Sequence, residues 1–303
     1  MEAQPFHPGE LEAQARAGVA SRGAGIREFM PAQHRDFFAL LPYLFVAGRD
    51  AQGWPIATVL AGEAGFVQSP TATELSIAAL PSPQDPASDP LQPGAPIGLL
   101  GLDFQTRRRN RANGTIAARD DGGLDVTVSQ SFGNCAKYIQ VRDLVRVAAA
   151  PAPIEPLAQL DAAARRLIVS SDTLFVASAS GSGLDISHRG GRPGFVRIDA
   201  DVLTVPDFIG NNYFNTLGNL LLEPRAALLF VDFARGDILQ LQGETEIVWD
   251  GPELSLLEGS ERLWRFRVTR GWRQAGALPL RWSAADPAPT TLATGAWQTR
   301  AAA

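Results

Sequence analysis

The stretch "LFVAGRDAQGWPIATVLAG…GFV" (44–67) is written twice in this chain. It returns about 130 residues later as "LFVASASGSGLDISHRGG…GFV" (174–196), and "GLLGLDF…NG" (98–114) returns at nearly the same offset as "ALLFVDF…QG" (227–243). Leu44, Phe45, Val46 and Gly53 thereby pair with Leu174, Phe175, Val176 and Gly183. Phe66 pairs with Phe195, Asp103 with Asp232, Phe104 with Phe233 and Gly114 with Gly243. Solenoid periods run roughly 20–50 residues, so a repeat this long predicts two like domains in one chain. Such a pair can stand in for a two-fold dimer, whose natural ligand site is the seam. Differences between the copies then locate the site.

Composition supports two ordinary globular units. A chain of 303 residues accommodates two domains of roughly 130 residues, each able to bury a core. The net charge of −5 and pI near 5.3 give no overall attraction for nucleic acid or anionic lipid. No apolar run reaches membrane-spanning length, and "MEAQPFHPGELEAQ" lacks a signal-peptide pattern, so no membrane association is expected. The single Cys135 excludes an intrachain disulfide, and a reduced, cytoplasmic protein is the expectation.

Segments such as "YLFVAGR", "PIATVLAG", "ELSIAAL", "IGLLGLDF" and "LDVTVSQ", with their second-half counterparts, are short, β-branched and bounded by Gly, Pro or Asp. "RDAQGW" and "SASGSGL" read as hairpin turns. Hairpin-connected strands suit a small antiparallel barrel better than a doubly wound sheet. The expected fold is therefore mainly β with flanking helices, two tandem split β-barrels forming a pseudo-dimer. Helices are expected within 27–41 and 157–170, before each barrel. The proline-punctuated "AAAPAPIEP" (148–156) marks the boundary between a first half, 1–150, and a second, 151–283. The Ala-, Pro- and Thr-rich 284–303 is expected to be a flexible tail.

The halves differ in two places. The second carries "PDFIGNNYFNTLGNLLLEP" (206–224), which predicts a helix with Asn211, Asn215 and Asn219 on one face and Phe214, Leu217 and Leu221 on another. Three aligned amides cost helix propensity; they either solvate the helix or face a polar ligand. The first half has "PSPQDPASDPLQPGAP" (81–96) there, whose six prolines forbid a helix. The second difference is "ISHRGGRPG" (186–194), which stands where the first half has the cation-free "IATVLAGEAG". Alternation puts Ser187 and Arg189 on one face and Ile186 and His188 on the other. Arg189 beside Gly190 and Gly191 combines an anion-binding fork with closely approachable backbone; a solvated hairpin is the plainer alternative.

In the first half, "TRRRNR" (106–111) lies on a strand as a solvated, ion-paired or ligand-binding face, and "QSFGNCAKYIQ" (130–140) follows another. Lys137 is the chain's one lysine, hinting at a position that wants a compact ammonium. Cys135 is expected to pack as a small hydrophobe. His7, His34 and His188 are too scattered for a metal-ligand cluster, and no metal is expected. P-loop, dinucleotide-binding and nucleophile-elbow motifs are absent.

Together, "DISHRGGRPGFVRID", "PDFIGNNYFNTLGNLLLEPRAALLFVDF" and "QSFGNCAKYIQ" resemble the pyridoxamine 5′-phosphate oxidase-like FMN-binding split-barrel family. The chain is similar to its duplicated branch, related to members fused to ferredoxin-reductase modules, from "FHPGELEAQARAG" (6–18) to "LPLRW" (278–282). The resemblance implies FMN in a groove between barrels, within one chain or between subunits of a homodimer. It implies a small-molecule substrate or a reductase as redox partner. The implied cofactor set is Lys137, Tyr138, Ser187, His188, Arg189, Gly190, Asn211, Asn215, Thr216 and Asn219. Arg189 and Lys137 would meet the phosphate or the N1–C2 carbonyl region, Ser187 and the asparagines the ribityl chain and ring edges, and His188 would transfer protons. Two departures count against vitamin B6 oxidation. Where the oxidases proper have a serine-arginine-lysine helix start, this chain reads Asn215, Thr216, Leu217, Gly218, so phosphate falls to Arg189, Lys137, the 107–111 arginines and helix amides. Their arginine-rich C-terminal pattern is also missing. An FMN-dependent oxidoreductase is the leading expectation; the alternatives are a flavin- or haem-binding module without turnover and a cofactor-free structural homologue.

Overall fold

Strand pairing reproduces the repeat, apart from Gly53 and Gly183: Gly183 pairs with Ser180 within a strand, whereas Gly53 lies in the turn before Pro55. The computed structural model describes residues 5–148, 150–181 and 183–297. The first half runs α1 (Pro8–Arg16), α2 (Ala32–Leu40), β1 (Tyr43–Arg49), β2 (Pro55–Ala61), β3 (Val67–Gln68), β4 (Glu74–Ile77), β5 (Pro96–Asp103), β6 (Arg108–Asp120) and β7 (Gly123–Gly133). Short strands β8 (Leu144–Arg146) and β9 (Glu155–Leu157) lead into α3 (Ala162–Ser170), β10 (Thr173–Ser180), β11 (Gly183–Gly190), β12 (Arg197–Asp199) and β13 (Val202–Phe208). Then follow α4 (Asn215–Leu222), β14 (Arg225–Asp232), β15 (Asp237–Val248), β16 (Ser260–Gln274), β17 (Leu280–Trp282) and α5 (Pro289–Leu292).

The two main sheets have the orders β2-β1-β5-β6-β7-β4-β3 and β11-β10-β14-β15-β16-β13-β12, the same path taken twice. The protein is mainly β, two tandem split β-barrels with flanking helices. Register makes the equivalences exact to the residue: Leu44 faces Leu60 where Leu174 faces Arg189, and Val46 faces Thr58 where Val176 faces Ser187. Likewise Leu100 faces Arg111 where Leu229 faces Gln240. The repeated Asp-Phe has a physical cause. Asp103 accepts from Gln105 N and Asp232 from Ala234 N, each capping the turn into the next strand.

Each half has its own core, and a third apolar cluster joins them. At its centre equivalent residues touch each other. Phe45 stacks on Phe175 with centroids 3.6 Å apart, and Phe104 meets Phe233 edge-on at 5.1 Å. Like-to-like contact is what an isologous two-fold interface produces.

Three expectations need correction. The helix expected over 206–224 begins only at Asn215, because β13 runs through Phe208 and positive φ at Asn212 and Phe214 (60° and 62°) breaks any earlier turn. Asn211 therefore lies off the helix. The tail beyond Ala284 is docked: Val141 pairs with Asp286, and Trp297 Nε1 donates to Phe195 O at 2.9 Å; residues 298–303 lie outside the described residues. Third, α1 was not anticipated. His7 starts it, its Nδ1 accepting from Gly9 N while Glu10 returns to accept from His7 N. The other two helices fall inside their expected spans, α3 being capped by Asp161 accepting from Ala164 N at 2.8 Å.

Candidate functional site

Strand alternation turns Arg109, Arg111 and Asn113 of β6 toward β11 of the other half. There Arg111 Nη1 donates to Asp185 at 2.8 Å, and Arg109 Nη1 lies 2.9 Å from His188 Nδ1. Across the gap, α4 starts at Phe214 with no side-chain cap, so its first N–H groups point outward unclaimed by a capping side chain. Between these elements is a cavity of about 80 Å³ built from both halves, with Arg109, Arg111, His188, Arg189, Thr216 and Arg262 among its walls.

The cavity carries surplus positive charge. Arg111 is paired with Asp185, while Arg189 and Arg262 share Asp207 at 2.8 and 3.0 Å. Arg262 also pairs with Glu261, so four guanidinium groups against three carboxylates leave one positive charge, that of Arg109, without a carboxylate partner. Burial, with Arg111 adding repulsion, pulls Arg109 down to about 9, so it remains charged at neutral pH. Arg111 is also lowered, first by burial. The Nε atoms of Arg109, Arg111 and Arg189, together with His188 Nε2, are buried without a hydrogen-bond partner. Since guanidinium can only donate, His188 Nδ1 accepts from Arg109, which leaves Nε2 carrying the proton. Donors with no acceptor, beside a helix N-terminus, make an anion site.

Burial first, then Arg109, Arg189 and Arg111, push the pKa of His188 well below the usual imidazole range, and its Nδ1 accepts from Arg109 while Nε2 has no partner. The other expected residues divide. Arg189, Asn211, Asn215 and Thr216 line the cavity, with Asn211 accepting from Tyr213 N. Ser187 is buried behind Thr216, their hydroxyls 2.8 Å apart, tying β11 to the first turn of α4. Lys137 and Tyr138 stand outside the cavity walls; Tyr138 donates its hydroxyl to Ile209 O. At Gly190 a Cβ would stand 2.1 Å from Tyr138 O, so the close packing of backbone requires glycine there. The arginines of β6 divide: Arg108 is exposed, whereas Arg111 is 8% exposed and ion-paired with Asp185. Arg262 escaped the sequence reading, since nothing local distinguishes it from the other β16 arginines.

The asparagine amides are claimed by α1. Asn215 Nδ2 donates to Glu10 Oε1, Asn219 Oδ1 lies 2.9 Å from His7 Nε2, and Asn219 Nδ2 donates to Ser178 Oγ at 3.1 Å. Helix α1 can come this close because Gly9 and Gly218 face each other; a Cβ on Gly9 would stand 2.2 Å from Gly218 O. A second, larger chamber of about 580 Å³ opens on this side, walled by α1, β6, β7, β11 and α4. The signal that could have found α1 was the His7-x-x-Glu10 spacing, a capping-box pattern. Cys135 borders the cavity and is half-buried, so it is not simply core packing. Among the described residues no group of three or more His, Cys, Asp or Glu side chains converges as a metal site.

Neither a protein family nor a curated protein matches this chain. Solved structures are similar at low identity. A FAD-binding protein from Mesorhizobium loti is 12% identical with TM-score 0.30, over 40% of this chain and 96% of its own. HutZ, the heme storage protein from Vibrio cholerae, is 16% identical with TM-score 0.30, over 39% and 96%. A candidate pyridoxamine 5′-phosphate oxidase from Lactobacillus delbrueckii is 14% identical with TM-score 0.31, over 38% and 93%. No helix among the described residues is long and apolar enough to cross a membrane.

Proposed function

We propose that the arginine-walled cavity holds the phosphate of a flavin nucleotide of the FMN type. On this reading the protein is an FMN-dependent oxidoreductase acting on a small organic or electron-carrier substrate. The observation carrying the proposal is the set of buried, unpartnered donors on Arg109, Arg111, Arg189 and His188, with the Arg109 charge lacking a carboxylate, at the uncapped start of α4. An unpaired buried charge is costly, and a phosphate would supply both the charge and the acceptors. Arg109, Arg111, Arg189 and His188 Nε2 would donate to its oxygens, with Thr216 and the α4 amides closing the far side. Bound FMN would supply two-electron chemistry; the protein's part is to hold and orient it.

A module that binds flavin without turnover is the second reading, favoured by one observation: burial and three arginines hold the His188 pKa well below the usual range, which disfavours it as an acid at neutral pH. Haem is the less favoured ligand, because the cavity walls are rich in arginine.

The test is thermal melting of flavin-free protein. FMN at about 100 times its dissociation constant should stabilise by about 2.7 kcal/mol, and riboflavin, lacking the phosphate, should bind far more weakly. Equal binding of riboflavin and FMN would sink the phosphate assignment. Reduction of the bound flavin by NAD(P)H, followed by reoxidation, distinguishes the enzyme from the module.

A further inference from the structure

The Arg111–Asp185 ion pair stands between two spaces of opposite character. On the cavity side the unpartnered atoms are donors. In the larger chamber the unpartnered atom is an acceptor, Asn113 Oδ1, and the carboxyl groups of Glu10 and Asp185 line the same space, each oxygen accepting one protein hydrogen bond and keeping a lone pair for a further donor. The amide cannot be turned to relieve this, because Asn113 Nδ2 donates to both Gln130 Oε1 (3.1 Å) and Asp185 Oδ1 (3.2 Å). Asn113 is only 8% exposed, so water at the surface does not substitute.

We propose that this chamber binds the ammonium end of a small organic amine, with Glu10, Asp185 and Asn113 Oδ1 as its acceptors. A primary ammonium presents three N–H donors and no acceptor, matching three acceptors drawn from three elements: α1, β11 and β6. A metal ion is disfavoured by the absence of a converging ligand set among the described residues. At about 580 Å³ the chamber has the size of a small-molecule site. Charged and titratable groups facing Glu10 and the chamber are His7 on α1, Asp185 on β11, Arg111 on β6, and Arg27 and Glu28 from the segment before α2. Burial first, and Asp185 in addition, raise Glu10 to about 7, while burial lowers His7. Glu10 therefore gains its charge as pH rises through neutrality, and an ammonium should bind better at pH 8 than at pH 6.

The proposal does not rest on the flavin reading and is tested on flavin-free protein, so either can fail alone. Calorimetric titration with benzylamine should show one site, with benzoate silent. Affinity should rise several-fold from pH 6 to pH 8, benzylamine remaining cationic throughout. Glu10→Gln, confirmed as folded by circular dichroism, should weaken binding about ten-fold or more, as loss of a charge-assisted contact does, and should flatten the pH dependence. Benzoate binding as well as benzylamine, no benzylamine binding by the wild type, or undiminished affinity in folded Glu10→Gln would each overturn it. So would Mg²⁺ displacing benzylamine in a Glu10-dependent way, which would assign the chamber to a metal.

Discussion

Two places in this molecule are equivalent by strand register yet opposite in chemistry. Where the second half has Ser187, Arg189 and α4, the first has Thr58, Leu60 and the proline segment 81–96. Where β6 offers Arg111 to the cavity, β15 offers Gln240. The first-half place is filled: Asp85 enters it, accepting from Thr58 Oγ1 at 2.6 Å and Gln240 Nε2 at 3.0 Å. Arg119 pins the segment by donating to Ser88 O and Leu91 O. Its donors are spent on the protein itself. The second-half place keeps a cavity, surplus positive charge and unpartnered donors. One pseudo-symmetric pair thus contains one filled place and one cavity. The contrast teaches that a repeated fold supplies two sockets, and that side chains decide which one stays open.

The contrast can be broken most forcefully at the matched pair Leu60 and Arg189. Leu60→Ala should cost about 2–5 kcal/mol of stability as a core truncation without a specific loss of FMN affinity. Arg189→Ala should weaken FMN binding by about 10- to 150-fold, the equivalent of a lost charge-assisted hydrogen bond. Melting and flavin-fluorescence titration on both variants decide; an unchanged affinity in Arg189→Ala would move the phosphate to Arg109 and Arg111.

A smaller effect separates Thr58 from Ser187. Thr58→Ala leaves the buried Asp85 carboxyl short of a donor and should destabilise by about 1–3 kcal/mol. Burial already raises the pKa of Asp85, so this variant should lose the most at alkaline pH, where the carboxylate is charged. Ser187→Ala removes a neutral hydroxyl pair, costing about 0.5–1.5 kcal/mol, and should loosen Thr216 enough to weaken FMN measurably. Equal melting losses with no difference in FMN affinity would mean that the two positions are not functionally distinct.

The mildest perturbation needs no mutation. Cys135 is the chain's single cysteine and borders the open cavity, so alkylation by iodoacetamide reports on occupancy. Saturating FMN should slow labelling several-fold, and riboflavin should not. Labelling that ignores FMN would place the nucleotide away from this wall.

Much of this was legible in the chain. The tandem β architecture followed from the offset repeat, because equal patterns of apolar alternation and turn residues fold alike. The absence of a helix over 81–96 followed from its six prolines. What escaped depends on pairing at a distance. Arg262 joins Asp207 across 55 positions, and Glu10 reaches Asn215 across 205; no local pattern encodes such partners. His188 stood out in the sequence by its type alone. Only folding, by burying it among three arginines, lowered its pKa and engaged Nδ1 as an acceptor from Arg109. The sequence by itself determined the strands and their arrangement in two like halves, since these rest on local propensity and periodicity. The tertiary structure decided the sign of the cavity, the state of each titratable group and the seating of α1 on α4, because electrostatics and burial depend on distances that exist only once the chain is folded.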